Sequence, residues 1–147
     1  MCMQLTNEYI RGLVEGEGYF TFQKDFSHKL SGRKFPTFYL IMHERDEDLI
    51  KGVRDHLGIR KNQRILYGPY KYKDGINRGA YAKLAVRDFG QMKNIIIPFF
   101  YKKLKGYKGR QFAEWLEEMG SDPMMNDGAK LLFKLYKSGY WDKNPKF

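Results

Sequence analysis

The sequence predicts an α+β fold with elements in the order helix, hairpin, helix, hairpin, helix, and three observations carry that reading. Apolar and polar residues alternate with a period of two in residues 19–27 and again in residues 80–87, and each stretch has a neighbouring strand across a polar turn. Between and after these pairs, apolar residues recur at helical spacing, as Leu49, Ile50, Val53 and Leu57 do. At 147 residues the chain is long enough to bury a real core and short for two, so one compact unit is expected.

Thr6 or Asn7 caps a first helix that runs to about residue 16. Its sequence is unusual: Ile10-Arg11-Gly12-Leu13-Val14-Glu15-Gly16-Glu17-Gly18 holds three glycines. Glycine inside a helix costs about 1 kcal/mol relative to alanine, so Gly12 and Gly16, spaced i and i+4 on one face, imply that another backbone approaches closely. Glu17 falls where the helix ends, with Gly18 as its stop. An acid at the mouth of a closely packed helix pair is a candidate metal ligand.

The strand at 19–27 places Phe20, Phe22 and Phe26 on one face. Tyr19, Thr21, Gln23 and Asp25 occupy the other, a regular row of hydrogen-bonding groups, while Lys24 interrupts the apolar side. A basic turn at 28–34, which includes Arg33 and Lys34, leads into a strand at 36–43 with Phe38, Leu40 and Met42 inward and Tyr39 and Ile41 outward. Asp46 and Glu47 open the second helix, and Gly58 stops it.

Residues 65–73 and 80–87 form the second hairpin, where Pro69 implies an edge position or a bulge. Ala82, Leu84 and Val86 share the inner face of the later strand and Tyr81, Lys83, Ala85 and Arg87 the outer one; its neighbour alternates Tyr70, Lys71, Tyr72 and Lys73. Asp88 caps a helix carrying Met92, Ile95 and Ile96, which Pro98 ends. Residues 109–119 and 127–137 read as further helices, the first with Phe112, Trp115, Leu116 and Met119 and the second with Leu131, Leu132, Leu135 and Tyr136. From Ser138 onward the chain is the one candidate for low order.

Lys and Arg number 27 against 17 Asp and Glu, a net charge of +10 that favours a polyanionic partner, nucleic acid above all. No apolar run approaches the roughly 20 residues of a spanning helix and no signal-peptide pattern opens the chain, so a soluble intracellular protein without membrane contact is expected. Whether that is a prokaryotic cytoplasm or an organelle stays open. Cys2 is the only cysteine, which excludes an internal disulfide and a thiolate zinc site. His28, His43 and His56 lack ligand spacing, so any metal is a hard cation on carboxylate and backbone oxygens.

Together the glycine-and-acid motif, the order of elements and the charge resemble the LAGLIDADG homing endonucleases of the single-motif type. Residues 10–18 stand in the place of the family's nine-residue signature, with Glu17 at the eighth position, that of the metal-binding acid. Pro36-Thr37-Phe38 leading to His43 and Asp46, then Ile96-Ile97-Pro98-Phe99-Phe100, then Lys108 followed by Phe112, are also similar to family patterns. The resemblance covers most of residues 7–137, leaving a tail at 138–147. Two positions depart from it: Arg11 replaces the common alanine, and Met42 stands where many members carry a glutamine, so that this polar role is either absent or passed to His43.

The resemblance implies an αββαββα fold with a saddle-shaped, four-stranded antiparallel sheet over DNA, backed by helices. With a single signature in the chain, it implies a homodimer joined through Gly12 and Gly16. Two Glu17 carboxylates near the dyad are then tolerable only with divalent cations between them. The implied activity is site-specific cleavage of double-stranded DNA at a long, partly palindromic site, leaving short 3′ overhangs. Glu17 and the Gly16 carbonyl would hold Mg²⁺ or Mn²⁺, and Lys108, or a neighbour among Lys102, Lys103 and Lys105, would offset charge at the phosphate.

Arg33, Lys34, Lys71 and Lys73 are the expected phosphate contacts. Tyr19, Thr21, Gln23, Asp25, Tyr39, Ile41, Tyr81, Lys83 and Arg87 form the expected base-reading face. The rival is a non-cleaving binder on the same fold, either a regulator of DNA or a maturase acting on intron RNA. The acid at position 17 argues against it, because a pure binder gains nothing from a carboxylate near phosphate. A structural RNA-associated protein explains the charge but not the glycine-rich acidic helix.

Overall fold

The computed structural model describes residues 3–25, 32–60, 64–71 and 77–147. The expected order of elements is present: α1 (Asn7–Glu17), β1 (Gly18–Asp25), β2 (Arg33–His43), α2 (Glu47–Leu57) behind a 3-10 turn at Glu44–Asp46, β3 (Ile65–Lys71) and β4 (Asn77–Val86). Then come α3 (Phe89–Gln91), a π-helical turn (Met92–Ile96), α4 (Ile97–Phe100), α5 (Tyr107–Ser121), α6 (Asp127–Lys137) and α7 (Tyr140–Lys143). The strands form one antiparallel sheet in the order β1-β2-β4-β3. Among the described residues no helix is long and apolar enough to cross a membrane.

By its contacts the chain divides into two compact units, Met1–Tyr19 with Tyr39–Ala85 and Phe20–Phe38 with Val86–Phe147. In the first, Thr6 caps α1, its Oγ1 accepting the Tyr9 N–H at 3.0 Å, and the helix buries Ile10, Arg11 and Val14. Helix α2 buries Ile50, Val53 and Leu57 and ends at Gly58 as expected. The second hairpin is antiparallel, with Ile65 opposite Leu84 and Gly68 opposite Tyr81. Pro69 meets both expectations at once: β3 is an edge strand and its register shifts between Pro69 and Lys71.

The second unit is organised by aromatic rings. Phe20 of β1 lies 5.4 Å from Phe38, 5.5 Å from Phe100, 5.0 Å from Phe112 and 5.3 Å from Trp115, ring centre to ring centre. Trp115 also donates its indole N–H to the Thr21 carbonyl at 2.8 Å, so a buried ring keeps its polar group satisfied while tying α5 to β1. Phe100 is fully buried against Phe20, Phe38 and Phe99. Phe100→Ala is therefore expected to destabilise the fold by about 3–5 kcal/mol, read as a loss of the urea midpoint at unchanged slope.

Two expectations fail in this unit, for one reason. Pro98 does not end its helix, which continues to Phe100, and the tail is not loose. Ile97 donates its N–H to Met92, an i to i−5 bond, so the next bond in that wide register would run from residue 98 to the Lys93 carbonyl. Proline has no N–H to give. The Trp141 indole N–H takes that place, 3.0 Å from the Lys93 carbonyl. Lys146 Nζ donates at 3.0 Å to the Asn94 carbonyl, the acceptor that Pro98 would have matched in a normal α-helix. Trp141 is only 5% exposed, and Phe147 packs 5.2 Å from Phe99. Residues after Ser138 thus complete the helix that the proline would otherwise leave unsatisfied.

Candidate active site and nucleic-acid interface

Helix α1 separates its two faces sharply. Arg11, in place of the alanine common in the signature, is 6% exposed and lies 2.8 Å from Glu8. Gly12 and Gly16 are exposed, and a Cβ added at either would meet nothing within 4 Å. The chain's own packing does not require glycine at either position. Gly18 differs: it caps the helix as expected, in an extended conformation (φ −93°, ψ 158°). A Cβ there would lie 2.5 Å from Val14 Cγ1 and 2.9 Å from the Val14 carbonyl, so close approach explains this glycine.

Glu17 closes α1 and is exposed. No basic residue lies in the last turn, so the partial negative charge of the helix C-terminus adds to that of the carboxylate. The last four carbonyls of a helix lack intrahelical donors, and Gly16 supplies one of them. Carboxylate and carbonyl oxygens in a negative field suit a hard divalent cation. Among the described residues no three His, Cys, Asp or Glu side chains gather at one point.

The outward strand residues occupy the faces assigned to them. In the first unit Leu40, Ala82 and Leu84 are buried, whereas Tyr39, Ile41, Tyr81 and Lys83 are half-buried and Tyr19 is 50% exposed. Lys83 Nζ stands 4.7 Å from the centre of the Tyr39 ring and 5.8 Å from that of Tyr81. In the second unit Phe20 and Phe22 pack against Trp115, and Thr21, Gln23 and Asp25 remain partly exposed. Gln23, Lys24, Asp25, Phe35, Arg87, Phe89 and Asn126 line an open cavity of about 750 Å³, where the Arg87 guanidinium lies 5.8 Å from the Phe35 ring centre. Phe35, Phe89 and Asn126 carried no sequence signal for this grouping, since Asn126 also serves as the α6 cap.

The basic residues differ in their surroundings. Lys34 is held by the loop before α6: its N–H donates to the Met124 carbonyl at 2.8 Å, its carbonyl accepts from Asn126 at 2.8 Å, and its Nζ donates to Asp122 at 2.7 Å. Its neighbour Arg33 is exposed and reaches the Met125 carbonyl at 3.3 Å. Lys102 is paired with Asp142 at 2.7 Å, while Lys103 and Lys105 are exposed and Lys108 is half-buried in the first turn of α5. Of Lys71 the backbone is described, opposite Asn77; Lys73 and Phe26 lie outside the described residues. His43 is half-buried, and its Nδ1 accepts the Arg45 N–H at 3.1 Å, which commits one ring nitrogen to the turn before α2.

The Lys34 hydrogen bond holds the Asp122 carboxyl below its ordinary value of 3.8 and raises the Lys34 ammonium, so each favours the charged form of the other. A depressed carboxyl contributes stability that is present above its unfolded value and is lost as pH falls through the lower folded one. Acidification below about pH 4 is expected to narrow the gap in melting temperature between the wild type and Asp122→Asn. A gap that stayed constant down to pH 2.5 would contradict the pairing.

A family model described as LAGLIDADG endonuclease matches residues 10–119. Among solved structures, the chain is similar to the meganuclease I-CpaMI bound to uncleaved DNA, with a TM-score of 0.63, 20% identity, and coverage of 95% of this chain and 43% of that one. It is similar to I-SmaMI bound to cleaved DNA, with a TM-score of 0.60 and 22% identity over 91% of this chain and 43% of that one. The homing endonuclease I-TnaI gives a TM-score of 0.59 at 22% identity over 92% and 88%. The chain thus spans less than half the length of I-CpaMI and I-SmaMI and most of the length of I-TnaI. With the nine-residue signature stretch at 10–18, both hairpins and α2 inside the matched residues, the chain belongs to the LAGLIDADG endonuclease family.

Proposed function

We propose that the protein is a site-specific double-stranded DNA endonuclease that acts as a homodimer with Mg²⁺ or Mn²⁺, cutting a long, partly palindromic site and leaving short 3′ overhangs. The observation that carries the reading is Glu17: an exposed acid, without a basic residue in the same helical turn, in a chain of net charge +10. Affinity for DNA alone would favour its replacement by a neutral or basic residue. The family membership supports the reading, as does the similarity in fold to I-SmaMI bound to cleaved DNA.

In this reading Glu17 and the Gly16 carbonyl would hold the cation. When bound, the cation supplies a polarised water and stabilises charge on the departing 3′ oxygen. Lys108 offsets negative charge at the phosphate as it rises toward the transition state. Arg33, Lys71 and Lys73 neutralise phosphates along the duplex, while Lys34, already balanced by Asp122, is assigned to the fold. Tyr19, Thr21, Gln23, Asp25, Tyr39, Ile41, Tyr81, Lys83 and Arg87 present the base-reading face. Gly12 and Gly16 are the dimer contact, because an exposed glycine pair that this chain's packing does not need is accounted for by a second backbone.

The test is a randomised duplex library incubated with the protein and Mg²⁺, then with Mn²⁺. Enrichment of cut molecules sharing a partly palindromic sequence and 3′ overhangs is expected. Retention of intact duplex with no cut product under either cation would instead favour the non-cleaving regulator; retention of RNA over duplex would favour the maturase.

A further inference from the structure

Lys83 differs from the paired lysines of this protein in what holds it. Lys34, Lys51, Lys102 and Lys137 each reach a carboxylate, at 2.7, 3.1, 2.7 and 2.6 Å; Lys102 and Lys137 also lie near aromatic rings, but Lys83 is held over the rings of Tyr39 and Tyr81 themselves. The difference matters chemically. A carboxylate engages the N–H donors of an ammonium, but an aromatic face attracts the charge and leaves those donors available. It also restricts a four-carbon side chain that otherwise loses about 1.5–2 kcal/mol of rotamer freedom on being ordered.

The third strand of the hairpin region contributes as well. Gly68 on β3 lies opposite Tyr81, and a Cβ at Gly68 would fall 2.5 Å from the Tyr81 Cζ and hydroxyl. The Tyr81 ring therefore lies across the glycine, in the manner by which an aromatic residue covers an edge-strand glycine. Tyr39 from β2 and Tyr81 and Lys83 from β4 are all half-buried on the outward face, so the ammonium is ordered without being sealed off.

We infer that Tyr39, Tyr81 and Gly68 position Lys83 as a guanine reader, one per half-site; this rests on the DNA-binding reading above. Guanine presents two acceptors side by side in the major groove, N7 and O6. Adenine replaces the second with an amino donor, which an ammonium cannot satisfy. A lysine free to sweep would serve any phosphate in reach; one held over two rings meets acceptors at a defined depth.

The experiment uses the full chain and a randomised duplex library, selected for binding and sequenced, for the wild type, Lys83→Met and Gly68→Ala. The wild type is expected to select guanine at one position in each half-site, with about ten- to hundredfold discrimination. Lys83→Met should flatten that position and leave the others unchanged. Gly68→Ala forces the Tyr81 ring to move while the fold melts as before, and should weaken the preference at the same position only. A uniform loss of affinity in Lys83→Met, with unchanged base preferences and a salt slope reduced by about one, would make Lys83 a phosphate contact and overturn the inference while leaving DNA binding intact. A wild type that retains no duplex overturns both.

Discussion

Glu17→Gln is expected to slow cleavage at least about a hundredfold while leaving duplex binding unchanged or tighter. The amide keeps the size and one acceptor oxygen but removes the charge that fits a divalent cation. Because Glu17 is exposed at the end of α1, the substitution leaves the core untouched, and melting temperature is expected to stay at the wild-type value. Binding should not fall, since a carboxylate facing phosphate opposes association and its removal relieves that repulsion. Single-turnover cleavage of a selected site and a gel-shift titration on the same duplex read the two quantities separately. Cleavage at the wild-type rate would remove Glu17 from the mechanism; parallel loss of cleavage and binding would make it a DNA contact instead.

Gly12→Leu is expected to weaken self-association by roughly a hundredfold or more without harming the folded chain. A Cβ at Gly12 meets nothing within 4 Å, and leucine is favoured over glycine in a helix by about 1 kcal/mol, so at concentrations where both are monomeric the variant should melt no earlier than the wild type. At a contact where two backbones meet, the same side chain is an overpacking error of about 1–3 kcal/mol, and a two-fold interface introduces it twice. Sedimentation velocity across a concentration series measures the dissociation constant, and cleavage of a palindromic site should fall with it. Undiminished association by the variant, or a wild type that stays monomeric with and without DNA, would contradict the glycine contact.

Much of the fold follows from short-range pattern. Period-two alternation assigned Phe20 and Phe22 inward and Thr21, Gln23 and Asp25 outward because a strand admits only two faces, and the burial of Ala82, Leu84 and Val86 followed by the same rule. Residues 127–137 were readable as a helix from the spacing of Leu131, Leu132, Leu135 and Tyr136, and the structure adds the Asn126 cap and Asp127 in the first turn. Pro98 misled for the opposite reason. A proline ends a helix only if the carbonyls it strands have no other donor, and here the donors, Trp141 and Lys146, lie 48 and 52 residues away from their acceptors. Gly18 was legible as the helix stop, but the close approach of Val14 that constrains it was not.

The sequence by itself determined the class of fold, the family and the acid at the end of the first helix, because each depends on residue types at fixed local spacing. Only the tertiary structure decided which charges are already spoken for. The surroundings of Lys34, Lys83 and Lys102 are not written in the chain: Asp122 holds Lys34, Asp142 holds Lys102 and two tyrosine rings hold Lys83. Those partners lie 88 residues along the chain for Lys34 and 40 for Lys102, and for Lys83 they are set by which strands pair. An ammonium's chemistry is set by what surrounds it in space, and no local pattern encodes that.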